Sequence, residues 1–343
     1  MKALIIGAGG QIGSELAGAL EAAGHEAWMV DHQPLEKCAG RGALEASFAQ
    51  YPGLAARWLP ALDVLQADRL AALIADLRPD TVFHLAALLS ATGEANPDLC
   101  WRVNVDGLRT TLEAMTRYRR PDGADPVLVC PSSIAAYGPV TGRPDVLERG
   151  PEEGPLEPTT MYGVTKVVAE RLGAWYSHQL RPTDGRGRVD TRLLRFPGLL
   201  SAVPPGGGSS DYANELFFAG ARGDQAVQIF VRPDTRIPFM HMDDALRSLV
   251  ELAEAPRARL TRTTYNVGAC YPTAEEIAEA VRRRLDHPFE VRYVPDHRQA
   301  FVDSWPRRLE DGAARSDWGW SHRLDLEGMT DRLLHDCRAS LAR

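Results

Sequence analysis

Along the first 200 residues, short apolar runs alternate with segments whose apolar residues recur every three or four positions. "KALIIGA" is an apolar run that breaks into glycines, and "QIGSELAGALEAAG" follows with helical spacing and a terminal glycine. "EAWMVD" is a second short run, ending on an acid. "ADRLAALIADLRPD" predicts a helix stopped at Pro79, "TVFHLAAL" a strand, "NPDLCWRVNVDGLRTTLEAMTRY" a long helix and "DPVLVCPSS" a buried strand. A helix around "MYGVTKVVAERLGAWYSHQL" and a strand "DTRLLRFPGL" complete the alternation. Strands separated by helices imply right-handed crossovers and a parallel sheet, hence an α/β fold. Residues 33 to 60 are poorly periodic and predict a loop with one short helix.

After about residue 199 the rhythm changes. "SAVPPGGGSSD" is a Pro/Gly/Ser loop, followed by short mixed elements and a polar, Arg-rich tail. "MDDALRSLVELAE" and "TTYNVGA" predict a return to the sheet. The expected organisation is a sheet domain over 1–198 and 242–268 and a smaller, discontinuous C-terminal substrate lobe over 199–241 and 269–343.

Composition narrows the partners. With 44% hydrophobic and 25% charged residues the chain is an ordinary globular one, and a net charge of −7 argues against nucleic acid or an anionic membrane. No apolar run approaches the roughly 20 residues of a membrane span, and glycines interrupt the first apolar run where a signal peptide would continue. Cys38, Cys100, Cys130, Cys270 and Cys337 are odd in number and scattered, which predicts reduced thiols, a cytoplasmic location and no zinc site.

The glycines carry the first chemistry. Gly7, Gly10 and Gly13 form G-x-x-G-x-x-G between a strand and a helix, where the backbone can approach a pyrophosphate and the helix N-terminus faces it. The sheet is therefore expected to be a doubly wound Rossmann-type sheet. Asp31 ends the next strand, where a carboxylate accepts the ribose hydroxyls and repels a 2′-phosphate, favouring NAD over NADP. Asp63 is placed to reach the adenine, or to be a solvated loop acid. Ala86 and Ala87 are small at the expected crevice; His84 is expected to be structural.

Charge usage carries the second. Of 39 basic residues only Lys2, Lys37 and Lys166 are lysine, and Lys166 follows Tyr162 by four positions. On a helix the two share a face, and Pro158, Thr159 and Thr160 predict a helix start just before them. A free tyrosine is a poor base at neutral pH, but an adjacent ammonium and a helix N-terminus both favour its phenolate. Ser132 and Ser133 end a strand at the ligand edge of the sheet, and Ser133 is the candidate to hold a substrate oxygen. Tyr137 is a poorer base because Thr141, not a lysine, follows at i+4.

These motifs, with Asn104 in "VNVDG", resemble the extended short-chain dehydrogenase/reductase family across the whole chain. "HLAALLSATGEANP", "PSSIAAYGP", "LEPTTMYGVTK", "RFPGLLSAVPPGGGSSDYA", "DTRIPFMHMDDAL" and "DSWPRRLEDGAARSDWGW" resemble its short-chain-type L-threonine 3-dehydrogenases. The resemblance implies NAD-dependent oxidation of L-threonine at its β-carbon to 2-amino-3-ketobutyrate. It implies catalytic Ser133, Tyr162 and Lys166, with Asn104 supporting proton relay. It implies a cofactor site of Gly7, Gly10, Gln11, Ile12, Gly13, Asp31, Asp63, Leu85, Ala86, Ala87, Asn104, Tyr162, Lys166 and Pro197. Substrate contacts would be Ser90, Ser133, Tyr162, Gly198, Ser209 and Arg236. A homodimer through the helices at 96–118 and 158–180, which carry Trp101 and Trp175, is also implied. The chain departs from the family pattern at Ser209 and Ser210, where threonines are usual, and in enlarged segments at 33–60 and 140–157.

Two rival functions follow from the same motifs. A nucleotide-sugar epimerase or dehydratase needs basic residues for a diphosphate, and Arg192, Arg195, Arg232 and Arg236 are candidates. A non-enzymatic dinucleotide sensor of the same fold is disfavoured because Tyr162 and Lys166 are both present. The run of His241, Asp243 and Asp244 is expected to be a helix junction, not a metal site.

Overall fold

A computed structural model describes residues 1–59, 61–181, 186–204 and 206–342; Pro205 of the Pro/Gly/Ser loop lies outside them. The chain runs β1 (Lys2–Ile6), α1 (Gln11–Ala22), β2 (Glu26–Val30), α2 (Arg41–Gln50), α3 (Pro52–Ala55), α4 (Ala67–Leu77), β3 (Thr81–His84), α5 (Ser90–Ala95), α6 (Pro97–Trp101), α7 (Gly107–Met115), β4 (Val127–Ser133), α8 (Asp145–Glu148), α9 (Met161–Ala174) and β5 (Asp190–Phe196). It continues through β6 (Gly198–Leu200), α10 (Tyr212–Arg222), β7 (Ala226–Ile229), β8 (Phe239–His241), α11 (Met242–Glu254), β9 (Thr264–Asn266), α12 (Ala274–Arg282), β10 (Glu290–Tyr293), α13 (Arg298–Asp303), α14 (Gly312–Trp318) and α15 (Leu326–Leu341).

Six strands form one parallel sheet in the order β2-β1-β3-β4-β5-β9. Its near-continuous apolar strands are explained by burial on both faces. Ala3 and Ile5 of β1, Val127 and Val129 of β4 and Leu194 of β5 pack with α1 and α11 on one face. Leu4, Ile6, Leu128, Cys130 and Leu193 pack with α4, α7 and α9 on the other. Helices on both faces make the sheet doubly wound, as the alternation predicts.

A third core lies under α10, α12 and α15 and includes Leu216, Phe217, Ile277 and Leu333. Two small parallel pairs, β6 with β8 and β7 with β10, belong to this side. The chain then re-enters the sheet: α11 packs on its face and β9 extends its edge beside β5.

Residues 33 to 60 correct the expectation of a loop with one short helix. They contain α2, α3 and a parallel bridge from Trp58 to Met29, a residual strand beside β2. The pattern is weak because α2 buries only Leu44 and α3 only Leu54. The long helix expected at 96–118 is divided by a π-helical turn at Arg102–Asp106, which holds Asn104. The enlarged 140–157 segment docks on the C-terminal part of the chain, with Val146 in the third core and Gly150 bridged to Leu309.

Candidate active site

The glycine turn is shaped by close approach. Gly7 sits at φ +85°, and a Cβ there would meet the Ala86 amide nitrogen at 2.6 Å. A Cβ on Gly13 would meet the Gly7 carbonyl oxygen at 2.4 Å. The turn thus closes α1 against β1 and lies on the Leu85–Ala86 backbone at the end of β3. The N-cap of α1 is Gly10, which has no side chain to satisfy the first amides. The next strand ends at buried Asp31, whose carboxylate accepts the Gly9 and Gln33 amides at 2.9 Å each. A tight glycine cradle, an uncapped helix start and a carboxylate at the next strand end fit a dinucleotide. Asp63 is exposed beside this edge and accepts the Leu65 amide at 2.9 Å, while Ala87 is half-buried one residue beyond Ala86.

The second half of the site is built where β4 ends. Ser133 accepts the Ala135 amide at 3.1 Å, which leaves its own proton free to donate elsewhere. Thr160 caps α9 by accepting the Gly163 amide at 3.1 Å and so fixes its first turn. A Cβ on Gly163 would meet the Ala135 carbonyl oxygen at 2.1 Å. Glycine beside Tyr162 is therefore what lets α9 lie on the Ser133 turn. One helical turn on, the Lys166 ammonium lies 5.2 Å from the Tyr162 ring centroid and donates to the Pro131 carbonyl at 2.8 Å. Lys166 is 6% exposed, so this charge acts with little solvent screening.

Asn104 joins the halves. Its side chain accepts the Leu88 amide at 2.8 Å and donates to the Leu88 carbonyl and the Thr165 hydroxyl at 3.1 Å each. It binds the segment after β3 to α9, from a π-helical turn of the kind often found at functional sites.

A cleft of about 120 Å³ opens between these elements and the chain after β5. It brings together Gln11, Ile12, Ser90, Ser133, Tyr162, Pro197, Gly198 and Ser209. Ser90 and Ser209 are buried with their hydroxyl oxygens 3.0 Å apart. Leu89, Phe196, Asp211 and Trp305 also line the cleft and were not selected from the sequence. The signal for Asp211 was its place two residues after Ser209; burial pushes its carboxyl pKa up, opposed by the Gly207 and Gly208 amides it accepts. Trp305 comes from a distant segment, the start of the "DSWPRRLEDGAARSDWGW" motif of the resemblance, which does not by itself mark it as a residue of the site.

Other candidates are placed elsewhere. Arg236 does not line the cleft; it donates to the Tyr271 carbonyl and pairs with Glu276 at 3.3 Å. Tyr137 is buried, with its hydroxyl bonded to Pro151, Asn266 and Arg195. His84 is buried 3.1 Å from the Thr111 hydroxyl, and burial, helped by Lys166, pushes its pKa down to about 3. His241 caps α11 through the Asp243 amide, and Asp244 holds the Arg323 and Leu324 amides. No group of three or more potential metal-binding side chains occurs among the described residues.

The four arginines considered for a diphosphate are all engaged. Arg192 pairs with Asp190 and three carbonyls near the end of α11, and Arg195 pairs with Glu170 through two bonds. Arg232 pairs with Asp303, and Arg236 with Glu276.

Comparison with known proteins gives a consistent set. Residues 3–268 match the model of the NAD dependent epimerase/dehydratase family. The mitochondrial L-threonine 3-dehydrogenase of Bos taurus is 38% identical over 278 residues, covering 80% of this chain and 69% of that protein. The solved structure of a partial consensus L-threonine 3-dehydrogenase superposes with a TM-score of 0.84 at 35% identity, covering 99% of this chain and all of that one. A monomeric L-threonine 3-dehydrogenase from a metagenome, solved in its apo form, gives 0.82 at 33% identity, covering 98% and 99%.

Proposed function

The chain belongs to the NAD dependent epimerase/dehydratase family, and on that premise we propose that it is a dehydrogenase that oxidises L-threonine at its β-hydroxyl. The carrying observation is the cleft itself: Tyr162 and Ser133 share it with Gln11 and Ile12 of the glycine turn. A substrate there meets a base, a hydrogen-bond donor and the cofactor loop together. Likeness to L-threonine 3-dehydrogenases over nearly the whole chain supports the substrate.

When bound, the oxidised nicotinamide supplies the hydride acceptor. The remaining steps fall to this chain. Tyr162, as phenolate, takes the proton of the β-hydroxyl while Ser133 donates to the same oxygen. Lys166 stabilises the phenolate electrostatically. Ser90, Ser209 and Gly198 border the substrate's amino-acid end, and Asn104 holds the backbone between cofactor and substrate. General-base catalysis contributes roughly 10²–10⁴-fold, so positioning must supply much of the remainder. Asp31, a carboxylate where a 2′-phosphate would otherwise sit, favours NAD over NADP.

The same reading takes 1–198 with 242–268 as the cofactor domain and 199–241 with 269–343 as the substrate lobe. It includes a homodimer, supported by Trp101 and Trp175, which are 40% and 45% exposed on neighbouring helices. A cytoplasmic setting is supported by five free cysteines. No helix among the described residues is long and apolar enough to cross a membrane.

The engaged state of Arg192, Arg195, Arg232 and Arg236 weighs against a nucleotide-sugar diphosphate. The test is direct. Purified protein should accumulate reduced cofactor with L-threonine and NAD, more slowly with NADP, and not with sugar nucleotides. Accumulation with a sugar nucleotide and none with L-threonine would overturn the reading.

A further inference from the structure

The short helix α5 has one end in the substrate cleft and the other on the helix that carries Tyr162. Ser90, its first residue, accepts the Ser209 amide at 2.9 Å. One turn later, Glu94 accepts the Met161 amide, the first amide of α9 and the neighbour of Tyr162. Between them Gly93 leaves room for Cys100, whose Sγ a Cβ there would meet at 2.9 Å, and lies in ordinary contact with Tyr162, whose Cβ would be 3.7 Å away. The Ala91 amide donates to Gly207 at 3.3 Å, so α5 also holds the glycine loop that precedes Ser209.

Thr160 already caps α9 through a neutral hydroxyl. Glu94 adds a second cap from another element, and a charged one, on a different one of the four amides that a helix start leaves unpaired. We propose that Glu94 is a positioning residue for Tyr162, anchoring the first turn of α9 and linking it through α5 to the Ser90–Ser209 pair. This rests on Tyr162 being the base.

The electrostatic consequence has a definite sign. A carboxylate at a helix N-terminus offsets the positive end of the macrodipole. That end and Lys166 present positive charge toward the Tyr162 side of the cleft, whereas Glu94 presents negative charge. The other titratable groups facing this point are Asp211 across the cleft, Cys100 on α6, and Cys130 and His84 on the sheet beside Lys166. The thiols and His84 are neutral near pH 7, since burial pushes the thiols up and the imidazole down. Glu170 is matched by Arg195. Glu94 and Asp211 are the acids here outside a buried ion pair, and because Asp211 also holds the Gly207 and Gly208 amides of the cleft loop, Glu94 is the one whose charge can be removed with the cleft wall kept. Its interaction also reaches Cys100, against which Gly93 packs.

The experiment is the pH profile of kcat for L-threonine oxidation, comparing the wild-type protein with Glu94→Gln, Glu94→Ala and Tyr162→Phe. Glu94→Gln keeps an acceptor for the Met161 amide and removes the charge. The acid limb should move about half a pH unit lower, corresponding to one helix-terminus charge interaction. Glu94→Ala should show the same movement with a lower plateau, because the anchor is also lost. An acid limb that stays in place or moves upward in Glu94→Gln overturns the proposal, including the case where kcat falls equally at every pH. Tyr162→Phe separates the two ideas: if it retains wild-type turnover, the base assignment itself fails, whatever Glu94 does.

Discussion

Two neighbouring serines end β4 and lead into opposite kinds of polar environment. Ser132 donates to Glu170 at 2.6 Å, and Glu170 takes both arms of Arg195 at 2.8 and 2.7 Å. Arg195 reaches the Tyr137 hydroxyl at 2.9 Å, which lies 3.0 Å from Asn266, itself bonded to Gly150 and Glu310. This network is closed: each group is matched by another protein group. Ser133, one residue on, uses a lone pair on its own turn and lines the cleft with Tyr162; Ser132 borders the same cleft, but its hydroxyl is committed to Glu170. Alternation along the strand sends the two hydroxyls different ways. A buried polar group with all its partners specifies structure; one left with capacity beside a cleft is available for chemistry.

The contrast is broken most severely by removing the open side. Tyr162→Phe deletes the proposed base and keeps the ring that packs against the third core. Turnover should fall by roughly 10²–10⁴-fold while the melting temperature and NAD binding hold. A variant that keeps its rate would move the chemistry to another group.

The closed side should show the reverse. Glu170 and Arg195 are 5% and 8% exposed at their side chains, so solvent screens them little. Glu170→Ala strands a buried guanidinium, which typically costs about 3–5 kcal/mol. Chemical denaturation measures it. A loss under about 1 kcal/mol would mean that water or a rearranged Asp or Glu replaces the partner.

His84 extends the same distinction to pH. Its native pKa lies near 3, below the 6.5 of the unfolded chain, so between those values the unfolded state binds the extra proton. Stability is therefore fully present above about pH 6.5 and declines as pH falls toward 3. At pH 5 this residue should account for about 2 kcal/mol of lost stability. Unfolding of His84→Gln at pH 5 and pH 7 should show a correspondingly smaller difference than the wild type. An unchanged difference would place the acid sensitivity elsewhere.

Legibility in the sequence followed the range of the interaction. The sheet strands, the glycine turn and the Tyr162–Lys166 pair depend on residues within a few positions of one another. The closed network does not: Tyr137, Arg195 and Asn266 meet from three separate segments, and nothing local marks them as partners. Trp305 stands in a motif of the resemblance, but its place in the cleft, far along the chain from the other lining residues, needed the fold. Residues 33–60 hid α2 because a helix that buries one leucine writes almost no period. The glycine after Tyr162 was visible as a letter, but its reason, the Ala135 carbonyl lying over it, needed the fold.

The smallest effect tests the edge of the open site. The family resemblance implies Arg236 as a substrate contact, yet its guanidinium faces Glu276 and the Tyr271 carbonyl. The arginine is 33% exposed and its acid 48%, so the pair should contribute no more than about 1 kcal/mol. If this arrangement persists with substrate bound, Arg236→Ala should leave kcat and KM for L-threonine within about twofold, since no bound group loses a partner. A KM raised well beyond that, with kcat held, would show that the guanidinium leaves Glu276 to bind the substrate carboxylate. Glu276→Gln would then be expected to lower KM, because it frees the arginine without removing it.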